Sequence, residues 1–189
     1  RTNGLALGFM PVYVPRELPW AMGVLPVGIF GGGDQLEIIR GDAYYQSYVC
    51  HIPRSTIELG LNGSLDCLDG VLFPATCDVI RNLSGMWMMQ FPDKFARYVD
   101  VPQDFSTSLG GAFYRHELMD IAAELERRGA RPLTEANLRA AIAEYDAKAG
   151  SFTLRTCSQG VHAIAGQMAE AMGVDTPKMR VMTGDVGGG

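Results

Sequence analysis

Leu68-Asp69-Gly70-Val71-Leu72-Phe73-Pro74-Ala75-Thr76-Cys77-Asp78-Val79-Ile80-Arg81 sets a short, unbroken apolar run against a helix-forming one, with a cysteine at the joint. The run Val71–Pro74 reads as a strand, and Asp78–Met89 carries apolar residues spaced for one helix face. The same alternation repeats on both sides. Leu5–Phe9, Leu25–Phe30 and Arg97–Val101 are further β-rich runs. Between them Pro15–Met22 and a long segment from Asp42 to about Leu61 have helical period. Strands alternating with helices over residues 3 to 100 predict βαβ units, hence a Rossmann-like parallel sheet with flanking helices. In such sheets ligands bind beyond the carboxyl ends of the strands, where Cys77 is expected.

Two helices follow. Gly110 to Arg128 carries Phe113, Leu118, Ile121, Ala122 and Leu125 on one stripe and stops at Gly129. The next opens with Thr134 as N-cap and is expected to continue through Leu138, Ile142 and Tyr145. After Lys148-Ala149-Gly150 the text changes to a short strand–helix–strand tail, Phe152–Arg155, Gly160–Met172 and Met179–Met182. The expected division is therefore an α/β domain over residues 1–148 and a tail over 149–189. The Arg1 start and the Gly187–Gly189 end are expected to be cuts in a longer chain.

Composition excludes several classes. The 189 residues are 47% hydrophobic and 20% charged, enough for one full core and a second small unit. Net charge is −5, without a Lys/Arg run to track a phosphate backbone, so nucleic acid is not an expected partner. Apolar stretches end well short of the roughly 20 residues needed to span a bilayer. No membrane association is expected, and the start lacks the pattern of a secretion signal, so a cytoplasmic protein is expected.

The four cysteines, Cys50, Cys67, Cys77 and Cys157, form no C-x-x-C pair and match no short zinc or ferredoxin spacing. Each is a buried thiol or a metal ligand. Cys77 has a mechanism for the second role, because a thiol at a helix start meets the positive end of the helix dipole, which favours thiolate. Cys67, within Leu65-Asp66-Cys67-Leu68-Asp69, is expected to be a packed thiol. Gly31-Gly32-Gly33-Asp34 lacks the ending of a nucleotide loop and the spacing of a dinucleotide fingerprint, and reads as a turn. His116, Glu117 and Glu124–Arg128 read as a solvated helix face.

A longer, ordered series adds to this. Phe9–Leu18, Gly23–Gly28, GGGDQLEIIR over Gly31–Arg40, Gly41–Tyr45, Cys50–Ser55, Leu68–Pro74, Cys77–Arg81 and Tyr98–Pro102 together resemble the 2-hydroxyacyl-CoA dehydratase / benzoyl-CoA reductase family over residues 3 to 146. They are most similar to the substrate-binding B/C-type subunits of the ATP-dependent reductase. That resemblance implies a [4Fe-4S] cluster held by three cysteines, two of them matching Cys50 and Cys77. The third would lie in a carboxyl-terminal half outside this chain. It also implies an aromatic acyl-CoA substrate, a sister cluster-binding subunit and an ATP-hydrolysing electron activator, hence a heteromer. His51, beside Cys50, could donate a proton to the reduced ring or hydrogen-bond a sulfur, or be a surface imidazole. Arg54 and Arg81 could offset cluster or CoA charge, or be solvated or paired arginines. Dehydration of a 2-hydroxyacyl-CoA and a non-catalytic interaction module stay open as alternatives.

The tail does not continue that series. Phe152–Leu154, Gln159–His162, Met168–Val174 and Met179–Gly189 resemble the molybdopterin-binding large subunit of molybdenum hydroxylases. The match stops inside a glycine loop, so molybdopterin is not an expected cofactor, and the chain is expected to be a composite of two incomplete pieces.

Overall fold

The computed structural model describes residues 4–33, 36–146, 151–155, 177 and 179–182. Four parallel strands form the main sheet: β1 (Ala6–Phe9), β2 (Leu25–Gly28), β3 (Gly70–Pro74) and β4 (Phe95–Val99). Their order is β2-β1-β3-β4, so the chain turns outward from β1 to β2 and then crosses back to β3. The switch point lies between β1 and β3, and ligand crevices open beyond the carboxyl ends of such a pair.

All five residues of β3 are buried, as expected of a central strand covered on both faces. Its side chains alternate between two cores. Leu72 joins Leu7, Phe9, Phe95 and Val99 against Leu18 and Met22 on one side, with Ile121 and Leu125. Leu18 lies in α1 (Glu17–Ala21), with Met22 just beyond it, and the other two lie in α4 (Ala112–Arg127). Val71 and Phe73 point the other way, toward Ile57, Ile80, Leu83 and Trp87. Those four belong to α2 (His51–Leu61) and α3 (Asp78–Gln90). The α/β architecture with helices on both faces is therefore present. β2 lies at an edge and contains Pro26, whose missing N–H is tolerated there.

Two helical expectations are corrected. The Asp42–Leu61 segment is not one helix: Gly41–Ala43 forms a 3-10 turn, an irregular stretch follows, and α2 starts only at His51. Pro53 supplies the reason, since its ring would clash with the carbonyl of Val49 in a longer helix but is tolerated in the first turn. Likewise α5 (Glu135–Ile142) ends before Tyr145. Tyr145 instead lies in β5 (Ala143–Asp146), which pairs antiparallel with β6 (Ser151–Arg155). Strand pairing has overridden the local helical pattern there.

The two tail strands appear as expected. β6 pairs parallel with β7 (Met179–Met182), giving a second sheet of order β5-β6-β7. The expected Gly160–Met172 helix, Cys157, Gln159 and Gly187–Gly189 lie outside the described residues. Among the described residues no helix is long and apolar enough to cross a membrane.

Candidate functional site

Cys77 caps α3 immediately after β3, and Cys50 caps α2. Each is the N-cap residue of a helix packed on the same face of the sheet, and neither helix has a side-chain cap hydrogen bond. Both cysteines are exposed. That excludes the buried-thiol alternative for them. Cys67 is also exposed, which corrects the expectation of a packed thiol: it lies in the turns that follow α2, where Lys94 donates to the carbonyls of Leu65 and Asp66.

The switch-point loops are tied together. Thr76, beside Cys77, donates its hydroxyl to the Pro11 carbonyl at 3.2 Å, joining the ends of β3 and β1. Tyr114 of α4 donates to the Tyr13 carbonyl at 2.8 Å. Around this edge Tyr13, Phe30, Tyr48, Ile52, Phe105, Leu109 and Phe113 are exposed, Tyr48 and Phe105 by more than four-fifths. Aromatic rings from separate loops give the edge an apolar rim of the kind that lines ligand and partner sites.

The Cys50 side is organised by α2. Glu58 is 5% exposed, and its Oε2 accepts backbone N–H groups from Ile39, Arg40 and Gly41 at 3.1, 2.7 and 2.7 Å. Ser55 Oγ accepts the Gly32 N–H at 3.0 Å and donates to the His51 carbonyl. The glycine turn is thereby held on the first turns of α2, with Gly31 at φ +81°. Asp34 lies outside the described residues. Arg54 donates through Nε and Nη2 to Asp42 Oδ1 at 2.9 and 2.5 Å and through Nη1 to the Ser47 carbonyl at 3.0 Å. Its guanidinium is thus that of a paired arginine, one of the two readings that the sequence left open. Arg81 lies over the Tyr98 ring at 5.2 Å and donates to its hydroxyl. Glu117, expected on a solvated face, instead pairs with Arg97 at 3.1 Å.

Tyr45 bridges toward the Cys77 side. It is 8% exposed, and its hydroxyl donates to the Val79 carbonyl in the first turn of α3 at 3.3 Å. Burial first, then the nearby Cys77, pushes its phenol up to about 12. His51 is exposed at the first position of α2, next to Cys50. Among the described residues no group of three or more His, Cys, Asp or Glu side chains is placed to hold a metal ion. The sequence reading missed Tyr45, Glu58, Ser55 and Asp42. Glu58 did carry a signal, being a carboxylate four residues after Arg54 on a helix whose neighbours are apolar.

An open parallel sheet with helices on both faces, and cysteines at the starts of α2 and α3, defines an α/β protein of the doubly wound class. The sequence profile of 2-hydroxyglutaryl-CoA dehydratase, D-component, matches residues 11–160, and the chain belongs to that family. It is 56% identical over 140 residues to the C-type subunit of benzoyl-CoA reductase from Thauera aromatica, covering 74% of this chain and 36% of the relative. It is 31% identical over 142 residues to the (R)-2-hydroxyglutaryl-CoA dehydratase beta subunit of Acidaminococcus fermentans, covering 75% and 37%. It is 30% identical over 146 residues to the (R)-phenyllactyl-CoA dehydratase beta subunit of Clostridium sporogenes, covering 77% and 38%. The chain thus spans little more than a third of the curated relatives it matches. Residues 133–189 match the profile of a molybdopterin cofactor-binding domain, as the tail motifs implied.

Proposed function

We propose that the chain forms part of a benzoyl-CoA reductase subunit, acting on an aromatic acyl-CoA at the carboxyl edge of the main sheet. The observation that carries this is the 56% identity to the reductase subunit, against 30 to 31% for the two dehydratase subunits. An apolar, aromatic rim at the switch point suits a flat apolar ring.

The donor chemistry fits an iron–sulfur cluster in part. Cys50 and Cys77 are soft, accessible sulfur donors at two helix starts, and thiolates are the usual ligands of such clusters. In this proposal they are two of three protein ligands, with the third in a carboxyl-terminal half outside this chain. A [4Fe-4S] cluster would supply low-potential electrons to the ring. The chain's own residues would orient the ring against the rim and hold the sulfur donors in place. His51 is the proposed holder of a proton, for the ring or for a sulfur. A sister subunit and an ATP-hydrolysing activator complete the proposed heteromer, in the reducing cytoplasm where thiols persist.

The test is anaerobic purification with iron and acid-labile sulfide analysis of the wild-type chain, Cys50→Ala and Cys77→Ala. Equal iron and sulfide, about four per chain, lost in both variants, is the expected result. Folded, iron-free wild-type protein after reconstitution would mean that this chain holds no cluster by itself. Benzoyl-CoA should bind more tightly than a 2-hydroxyacyl-CoA, and the opposite order would favour dehydration.

A further inference from the structure

Between Tyr44 and Cys50 the chain has turns and bends but no helix or strand to fix the cysteine at its end. Two side chains tie the loop down. Arg54 reaches back from α2 and bonds Asp42 before the irregular stretch and the Ser47 carbonyl within it, so one guanidinium fastens the loop at two points. Its side chain is only 14% exposed, which limits its freedom to swing away. Tyr45 lies in the same loop, buries its ring in the core beside Ile80 and Leu83, and bonds the Val79 carbonyl two residues after Cys77. The Cys50 loop is thereby tied to its own helix by Arg54 and to the Cys77 helix by Tyr45.

We propose that Arg54 and Tyr45 are positioning residues that set the separation of Cys50 from Cys77. The functional meaning rests on the two cysteines serving one group, but the positional claim can be measured without it. Partners that orient metal ligands in this way cost affinity when removed, although they touch no metal.

The experiment uses the full chain with Cys67→Ser and Cys157→Ser, spin-labelled at Cys50 and Cys77, and reads the inter-label distance distribution by double electron–electron resonance. The parent should give one narrow distribution. Arg54→Lys, Asp42→Asn and Tyr45→Phe should each broaden it and shift its maximum, while the thermal melt stays cooperative. Asp42→Asn keeps the bond from Arg54 to Ser47 and tests the clamp if Arg54→Lys does not fold. An unchanged distribution in folded Asp42→Asn and Tyr45→Phe overturns the proposal. Loss of cooperative melting in all three variants overturns it too, since the residues would then serve the fold as a whole. On the unlabelled protein, anaerobic titration with ferrous iron and sulfide should show affinity lowered by about tenfold in the same variants. A wild-type chain that takes up no iron would end the assignment of a cluster to this chain by itself, while the distance measurement would still decide the positional claim.

Discussion

Glu58 shows how much one side chain can organise when it is buried with a charge. Three backbone N–H groups converge on a single carboxylate oxygen, so the Ile39–Gly41 backbone is folded around it. A hydrogen bond to a charged group contributes about 1.5–3 kcal/mol, and a donor left unpaired in the interior adds a desolvation cost. Glu58→Gln is expected to destabilise the chain by about 2–4 kcal/mol, read as a lower urea midpoint with an unchanged slope. Gly31 is a second such point. Its φ of +81° and a Cβ that would lie 2.5 Å from Ser55 Oγ leave no room for a side chain. Gly31→Ala should cost about 1–3 kcal/mol in the same experiment. Cys77 was legible because a cysteine between a strand and a helix is locally visible, whereas Cys50, inside the expected Asp42–Leu61 helix, was singled out by the family resemblance alone. The sequence did not display Glu58 or Tyr45, whose partners lie 17 to 34 residues away and depend on the loop path.

Among the elements, legibility followed how local the cause was. β3 and α3 could be read almost to the residue, because a fully buried strand and an amphipathic helix are written in apolar spacing alone. The Thr134 cap was equally local: its hydroxyl accepts the Asn137 N–H at 3.1 Å, and Thr134→Ala should lower stability by about 1 kcal/mol in thermal unfolding. The far end of that helix could not be read, since Tyr145 is drawn into β5 by pairing with residues beyond it. At the end of α4, Glu124 bonds Arg127 and Arg128, which hold its carboxyl below the usual carboxylate range. A lowered folded-state value means that this stabilisation is present above the ordinary glutamate range, near 4.3, and is lost as pH falls through the folded value. Solvent screening keeps it to about 0.5 kcal/mol. The melting-temperature gap between wild type and Glu124→Gln should accordingly close on acidification below about pH 4.

The two core layers of the main sheet are built from described residues between Leu5 and Leu133, so the α/β body contains its own hydrophobic interior without the tail strands. The second sheet joins the chain through β5, directly after α5, and shares no strand with the first. We propose a division near residue 148, where the composition of the sequence changes; the D-component match runs on to residue 160 and the molybdopterin-domain match begins at residue 133. A chain ending at residue 148 should fold, lose the β5 pairing with β6, and keep its melting temperature within about 4 °C, the shift that 1 kcal/mol produces at this size. The measurement is thermal unfolding by circular dichroism of the two lengths side by side. A larger fall, or loss of a cooperative transition, would mean that the tail covers apolar surface of the first sheet and that the unit extends through the second. An unchanged transition would make the molybdopterin-like segment an appended piece, with the stability of the carboxyl edge set by α2, α3 and the strands between β1 and β4.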